Sequence, residues 1–189
     1  MRPAILLLTA LTAPVWGQIA RPVSAGGAVP APGTQNVRSG KPQASLASLT
    51  VIEQGFDGNL RSYNLNDPID ILGATRGIYL AGCGAIFTTE ISLVVTPSLS
   101  PFRQTITEQE KTQVHQRKLA RLPVLRTLMT SMVKSAAVQL NLMPDTDQVV
   151  LAVKLLYLPW ENTEGLPGQI LMRASRSDAL AGKIQTEEQ

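Results

Sequence analysis

The stretch Arg76–Thr96, RGIYLAGCGAIFTTEISLVVT, decides how the rest of the chain is read. From Ala85 the residues alternate: Ala85, Phe87, Thr89, Ile91, Leu93 and Val95 share one face, and Ile86, Thr88, Glu90, Ser92 and Val94 the other. A strand sends successive side chains to opposite sides, so this is one apolar and one mixed face. Thr, Glu and Ser in that rhythm favour an antiparallel sheet covered on one side over a parallel sheet buried on both. Ile78 and Leu80 carry the pattern before Gly82-Cys83-Gly84, and a short glycine-bearing loop between two strand-like runs predicts a hairpin. A single bent strand with a glycine bulge is the alternative.

Leu46, Leu49, Ile52, Phe56 and Leu60 recur at helical spacing upstream and predict an amphipathic helix over 45–62. Asn66-Asp67-Pro68 breaks the chain, and Ile69–Leu72 reads as a short edge strand. Downstream, Thr107-Glu108-Gln109-Glu110 has the form of a capping box and starts a long helix that ends near Leu142. Pro123 lacks an N–H and crowds the preceding turn, which predicts a kink or break near Leu122. Beyond it, Leu125, Met129, Met132, Val133, Ala136 and Leu140 form an apolar stripe. The half before it, 107–121, is mostly polar and is expected to be exposed.

Gln148–Leu158 alternates as the next strand and Gln169–Arg173 as a final one paired back as a hairpin, joined by a loop over 159–168; Ser175–Ala181 reads as a short helix. The order predicts an α+β domain, an antiparallel sheet of about four strands with helices packed on one face, over 45–182, with a disordered tail over 183–189.

The front of the chain has a different character. Arg2 precedes an apolar run from Ala4 to Trp16 that is too short to span a bilayer, which takes about 20 residues. A positive start, a short apolar segment and small residues at its end predict a cleaved signal peptide over 1–17, hence a secreted or periplasmic protein with no transmembrane segment in the mature chain. Residues 18–44 are rich in proline, glycine and alanine and read as a disordered linker.

Composition narrows the chemistry. The net charge of +3 is too small to imply nucleic-acid binding. One cysteine, Cys83, excludes an intrachain disulfide, and with a single histidine, His115, the chain lacks the ligands of a structural zinc site. No cofactor or metal is expected. Neither G-x-S-x-G, G-x-G-x-x-G, a phosphate-binding loop nor H-E-x-x-H occurs.

Cys83 and His115 form a catalytic dyad only if they touch, and nothing in the sequence brings them together. Lys111, Arg117, Lys118, Arg121, Arg126 and Lys134 make the long helix basic, either as a contact for an anionic surface or, the plainer reading, as a solvated face. Trp160 and Glu161 lie on the 159–168 loop, where they suit contact with a protein or glycan; the plainer role for Trp160 is to cap the core. Glu161 and Glu164 with Asp147 are the candidate carboxylates for glycan hydrolysis, which requires two of them across a cleft. Glu90 and Lys154 pair if their strands are neighbours.

The runs Arg76–Phe87 and Leu158-Pro159-Trp160-Glu161 resemble those of uncharacterised secreted bacterial proteins, over roughly 70–175. The resemblance implies a bacterial envelope setting and supplies no activity. The reading that follows is an exported, non-enzymatic binding or scaffolding domain whose candidate contact residues are Trp160, Glu161, Arg76 and His115; the alternative is a carboxylate-dependent hydrolase of an envelope glycan.

Overall fold

The computed structural model describes residues 44–97 and 105–189. The leader expected over 1–17 and nearly all of the linker expected over 18–44 lie outside them. The elements are α1 (Leu46–Ser62), β1 (Asp70–Leu80), β2 (Gly84–Ser92), α2 (Glu108–Gln139), β3 (Gln148–Leu155), β4 (Gln169–Ser175), α3 (Arg176–Leu180) and β5 (Gln185–Glu188).

The α+β class holds, but the sheet has five strands, in the order β1-β2-β3-β4-β5, and is mixed. The hairpins β1–β2 and β3–β4 are antiparallel, as is β4–β5, whereas β2 and β3 run parallel. The chain leaves β2, crosses over through α2 and returns beside β2 in the same direction, as a helical crossover allows. The polar alternation of β2 pointed to antiparallel pairing because parallel strands are usually covered on both sides. Here a parallel pair sits in a sheet with one open face, and Thr88 and Glu90 lie on that face.

The fifth strand replaces the disordered tail expected over 183–189. Backbone pairing with β4 holds it, and two ion pairs flank it: Arg126 of α2 meets Glu188 with Nε and Nη2 at 2.7 and 2.9 Å, and Arg173 of β4 meets Glu187 at 2.8 Å.

The hairpin turns at Ala81-Gly82-Cys83, where Leu80 pairs with Gly84. Gly84 has φ +129°, and a Cβ there would come within 1.9 Å of the Gln148 carbonyl oxygen, so only glycine lets β2 start against β3.

The core lies between one sheet face and α1 and α2. Phe87, Leu93, Leu151 and Met132 are all buried in one cluster with Leu49, Ile52 and Phe56 of α1. Ser45 caps α1 by accepting from the Ser48 N–H, and Thr107 and Glu110 form the full capping box of α2. The helix runs unbroken through Pro123, whose exposed ring faces away from the core. At its far end, Arg176 Nε donates to the Ala137 carbonyl at 3.1 Å and satisfies one of the last free acceptors.

Candidate functional site

The first half of α2 is not the exposed segment its polarity suggested. Val114, Lys118, Arg121, Leu122 and Leu125 are buried on one side of it, and the 156–168 loop and the approach to β1 pack there. Lys118 is fully buried, and its ammonium pairs with the Glu161 carboxylate, itself buried. The same ammonium lies 4.7 Å from the centre of the Tyr157 ring, a cation–π contact. Tyr157 donates its hydroxyl to the Pro167 carbonyl at 2.7 Å. Burial, and then the Glu161 charge, push its pKa up to about 12. One oxygen of the cluster, Glu161 Oε1, is buried without a hydrogen-bond partner among the described residues.

Local chemistry explains the loop's path. Pro159 cannot continue a ladder, and the Glu161 N–H turns back to the Leu158 carbonyl at 3.0 Å. Asn162 then folds over itself, its side-chain oxygen accepting from the Glu164 N–H at 2.9 Å, and Gly165 takes φ +71°. His115 Nδ1 lies 3.0 Å from the Asn162 carbonyl. A carbonyl only accepts, so Nδ1 carries the proton and donates.

The neighbouring arginines act similarly. Arg121 donates to the carbonyls of Leu93 (2.8 Å), Pro68 (3.1 Å) and Asp67, and both Arg117 and Arg121 pair with the Asp67 carboxylate. With Lys111 on Glu108 and Arg126 on Glu188, Lys134 alone of the six basic residues named on α2 has no ion-pair partner among the described residues. That overturns the reading of α2 as a free cationic surface.

Of the four candidate contact residues, His115 and Glu161 come together with Lys118 and Tyr157, and Trp160 stands half-buried beside them in the loop. This is an internal clasp rather than an open site. Arg76 lies elsewhere, on the uncovered sheet face.

Cys83 and His115, which nothing in the sequence brings together, do not meet in the structure either. Cys83 is exposed at the hairpin tip, its carbonyl accepting from the Gln148 N–H at the start of β3, whereas His115 bonds to the loop beyond the end of β3. Two of the three candidate carboxylates, Asp147 and Glu161, are separated in the same way, and Glu164 is exposed on the loop. Asp147 precedes β3, accepts from the Tyr79 hydroxyl at 2.8 Å and lies past the C-terminal end of α2. Glu161 follows β3 and is held near the helix's N-terminal half. The eight residues of β3 separate them by on the order of 25 Å, far beyond the spacing of a glycosidase pair. Burial, then the Asp147 hydrogen bond and charge, raise the Tyr79 pKa to about 12. Among the described residues no cluster of His, Cys, Asp or Glu has the make-up of a metal site.

The uncovered face keeps its functional groups turned outward. Register aligns Ile78, Ile86 and Val150 in one row across β1, β2 and β3, with Arg76, Thr88, Ala152 and Leu171 in the next. The expected Glu90–Lys154 pair forms at 3.2 Å on neighbouring strands. Register shifts between Ile71 and Arg76 let β1 bulge, and a groove of about 410 Å³ opens there, lined by Gly73, Arg76, Thr88, Glu90, Lys154 and Gln169. Arg76 has no ion-pair or hydrogen-bond partner among the described residues.

Sequence reasoning missed Lys118, Tyr157 and Arg121 as buried contacts. A signal existed: Lys118 lies four residues from both Val114 and Leu122, and Arg121 four before Leu125, so both continue the apolar stripe backwards. No family model, curated protein or solved structure matches the chain.

Proposed function

We propose that the chain is an exported, non-catalytic binding domain of the bacterial envelope, that its working surface is the open sheet face, and that its partner is another envelope protein. The observation that carries this reading is the contrast around Arg76. Most ionisable groups under the helices are paired internally, while Arg76 has no partner among the described residues and stands beside an uncovered apolar row in which Ile78 is 54% exposed. An apolar centre with charged groups at its rim and an arginine within reach is how protein interfaces are built. The partner presents an apolar ridge to Ile78, Ile86 and Val150 and a carboxylate to Arg76. Support for export is the Arg2 start and the short apolar run that follows it.

The test is comparative. A partner captured from envelope extract is purified and titrated against wild type, Arg76→Glu, Ile86→Glu and Trp160→Ala. The two face variants are expected to lose at least tenfold in affinity and Trp160→Ala to keep it. Equal binding by all four, or loss confined to Trp160→Ala, overturns the reading.

A further inference from the structure

The two edges of the sheet are finished differently. Along β1, the outward Thr75 N–H donates to Asp57 at 3.2 Å and the outward Gly77 N–H to Glu53 at 2.6 Å, so α1 occupies that edge with two carboxylates one helical turn apart. Nothing among the described residues does this for β5. Gln189 and Gln169 exchange both backbone bonds, each 3.1 Å. Antiparallel pairs alternate, so Gln185 and Glu187 also turn their backbone groups to β4, while Thr186 and Glu188 turn theirs outward. All four residues are exposed. Edge strands are commonly guarded by charge, but Glu187 and Glu188 are already held by Arg173 and Arg126 of their own chain.

We infer that this edge joins a second copy of the chain, β5 to β5, antiparallel about Thr186. The charges along the segment select that occupant. Its start carries two cations without an ion-pair partner among the described residues. Lys134 reaches it from α2, with its ammonium 3.4 Å from where a Cβ would stand on Gly182. Lys183 lies on the open side with Val150, Arg173 and Gln185. The end of the segment carries two acids: Glu188 on the helix side, where Ile170 and Met172 also point, and Glu187 on the open side. Antiparallel pairing about Thr186 sets Glu188 opposite Ile184 and Glu187 opposite Gln185. Each acid, while beside its own chain's arginine, then also comes near the partner copy's cation on the same side, Lys134 or Lys183, and no glutamate faces a glutamate. A groove of about 510 Å³ between α2 and β5, lined by Arg126, Thr127, Thr130, Lys134 and Thr186, receives the copy's helix-side side chains. The product is one continuous sheet running through both copies. The contact is at the small end of specific interfaces, below about 1,200 Å², so association is expected to be concentration-dependent and weakened by salt.

The experiment uses the full chain. Sedimentation velocity from micromolar to sub-millimolar concentration is expected to show a monomer–dimer equilibrium. Hydrogen exchange is expected to show the Thr186 and Glu188 amides protected only when concentrated. Thr186→Pro removes an outward donor and no bond to β4, so it is expected to stay monomeric with an unchanged circular dichroism spectrum. Lys134→Glu with Lys183→Glu is expected to weaken the dimer at least tenfold, and Arg76→Glu on the open face to leave it unchanged. A wild-type chain that is monomeric throughout overturns the inference. So does a dimer in which those two amides exchange freely. Should Thr186→Pro fail to fold, the wild-type exchange pattern decides alone.

Discussion

Val150 and Leu151 are neighbours in β3, yet they belong to different environments. Leu151 is fully buried under the helices, and Val150 lies on the open face. The helix side spends its charges internally: Lys118 on Glu161, Arg121 and Arg117 on Asp67, Asp57 and Glu53 on the backbone of β1. The open side holds two exposed ion pairs, Glu90–Lys154 and Arg173–Glu187, and an arginine, Arg76, with no partner among the described residues. Charge alone therefore does not mark a surface. The most basic segment of the chain is largely consumed in building the fold, and the sparser charges of the open face are the available ones.

The largest effect that would break this contrast lies in the clasp. Glu161→Ala leaves the buried Lys118 ammonium without its counter-charge and is expected to cost about 3–5 kcal/mol in urea unfolding, whereas Lys118→Met with Glu161→Leu, which removes both charges, should recover most of it. A cost for Glu161→Ala no larger than that of a surface substitution would place the pair in water.

Next is the sealed edge. Thr75 Oγ1 donates to Asp57 Oδ1 at 2.6 Å, and the Thr75 N–H donates to the same carboxylate. Asp57→Ala strands two buried donors and is expected to cost about 1–3 kcal/mol in the same measurement. If it is neutral, α1 does not cover β1.

The tyrosines probe the same side by pH. Tyr79 and Tyr157, two of the chain's three tyrosines, have pKa values raised from 10.0 to about 12. A raised folded value means the stabilisation is complete below the unfolded pKa and is lost as pH rises through the folded one. Stability is therefore expected to fall between about pH 10 and 12. In an absorbance titration two phenols should ionise late while the circular dichroism stays native. Tyr79 and Tyr157 phenols titrating near 10 in folded protein would contradict their desolvation.

The smallest effects belong to the open face. Val150→Ser and Lys154→Ala are expected to change stability by no more than about 0.5 kcal/mol, as surface substitutions do, because the Glu90–Lys154 pair is exposed on both sides and such pairs contribute little. A larger loss would mean that something covers this face.

Much of the fold was legible because its signals are local. The hairpin around Gly82 and Gly84, the Thr107 capping box and the period-2 pattern of β3 each depend on residues close in sequence. The parallel β2–β3 pairing was not legible, because one crossover through α2 sets it and the side-chain pattern of β2 reports only which face is covered. The fifth strand hid in a polar tail since its attachment to Arg126 and Arg173 is long-range. The candidate site was read only in part. Glu161 stands out on its loop as a contact candidate but turns inward; its partner Lys118 reads in sequence as one more solvated charge, and its burial follows from a loop 43 residues away. Arg76 was named without a place, and the β1 bulge that opens the groove beside it leaves no clear mark in composition.

The account turns on which side of the sheet meets other molecules. A photo-crosslinking residue is placed at Val150 on the open face or at Val138, exposed on α2, in cells that produce the protein. Irradiation is expected to join a discrete envelope protein to the chain at Val150 and none at Val138. A discrete crosslink at Val138 with none at Val150 would contradict the assignment of the open face as the working surface.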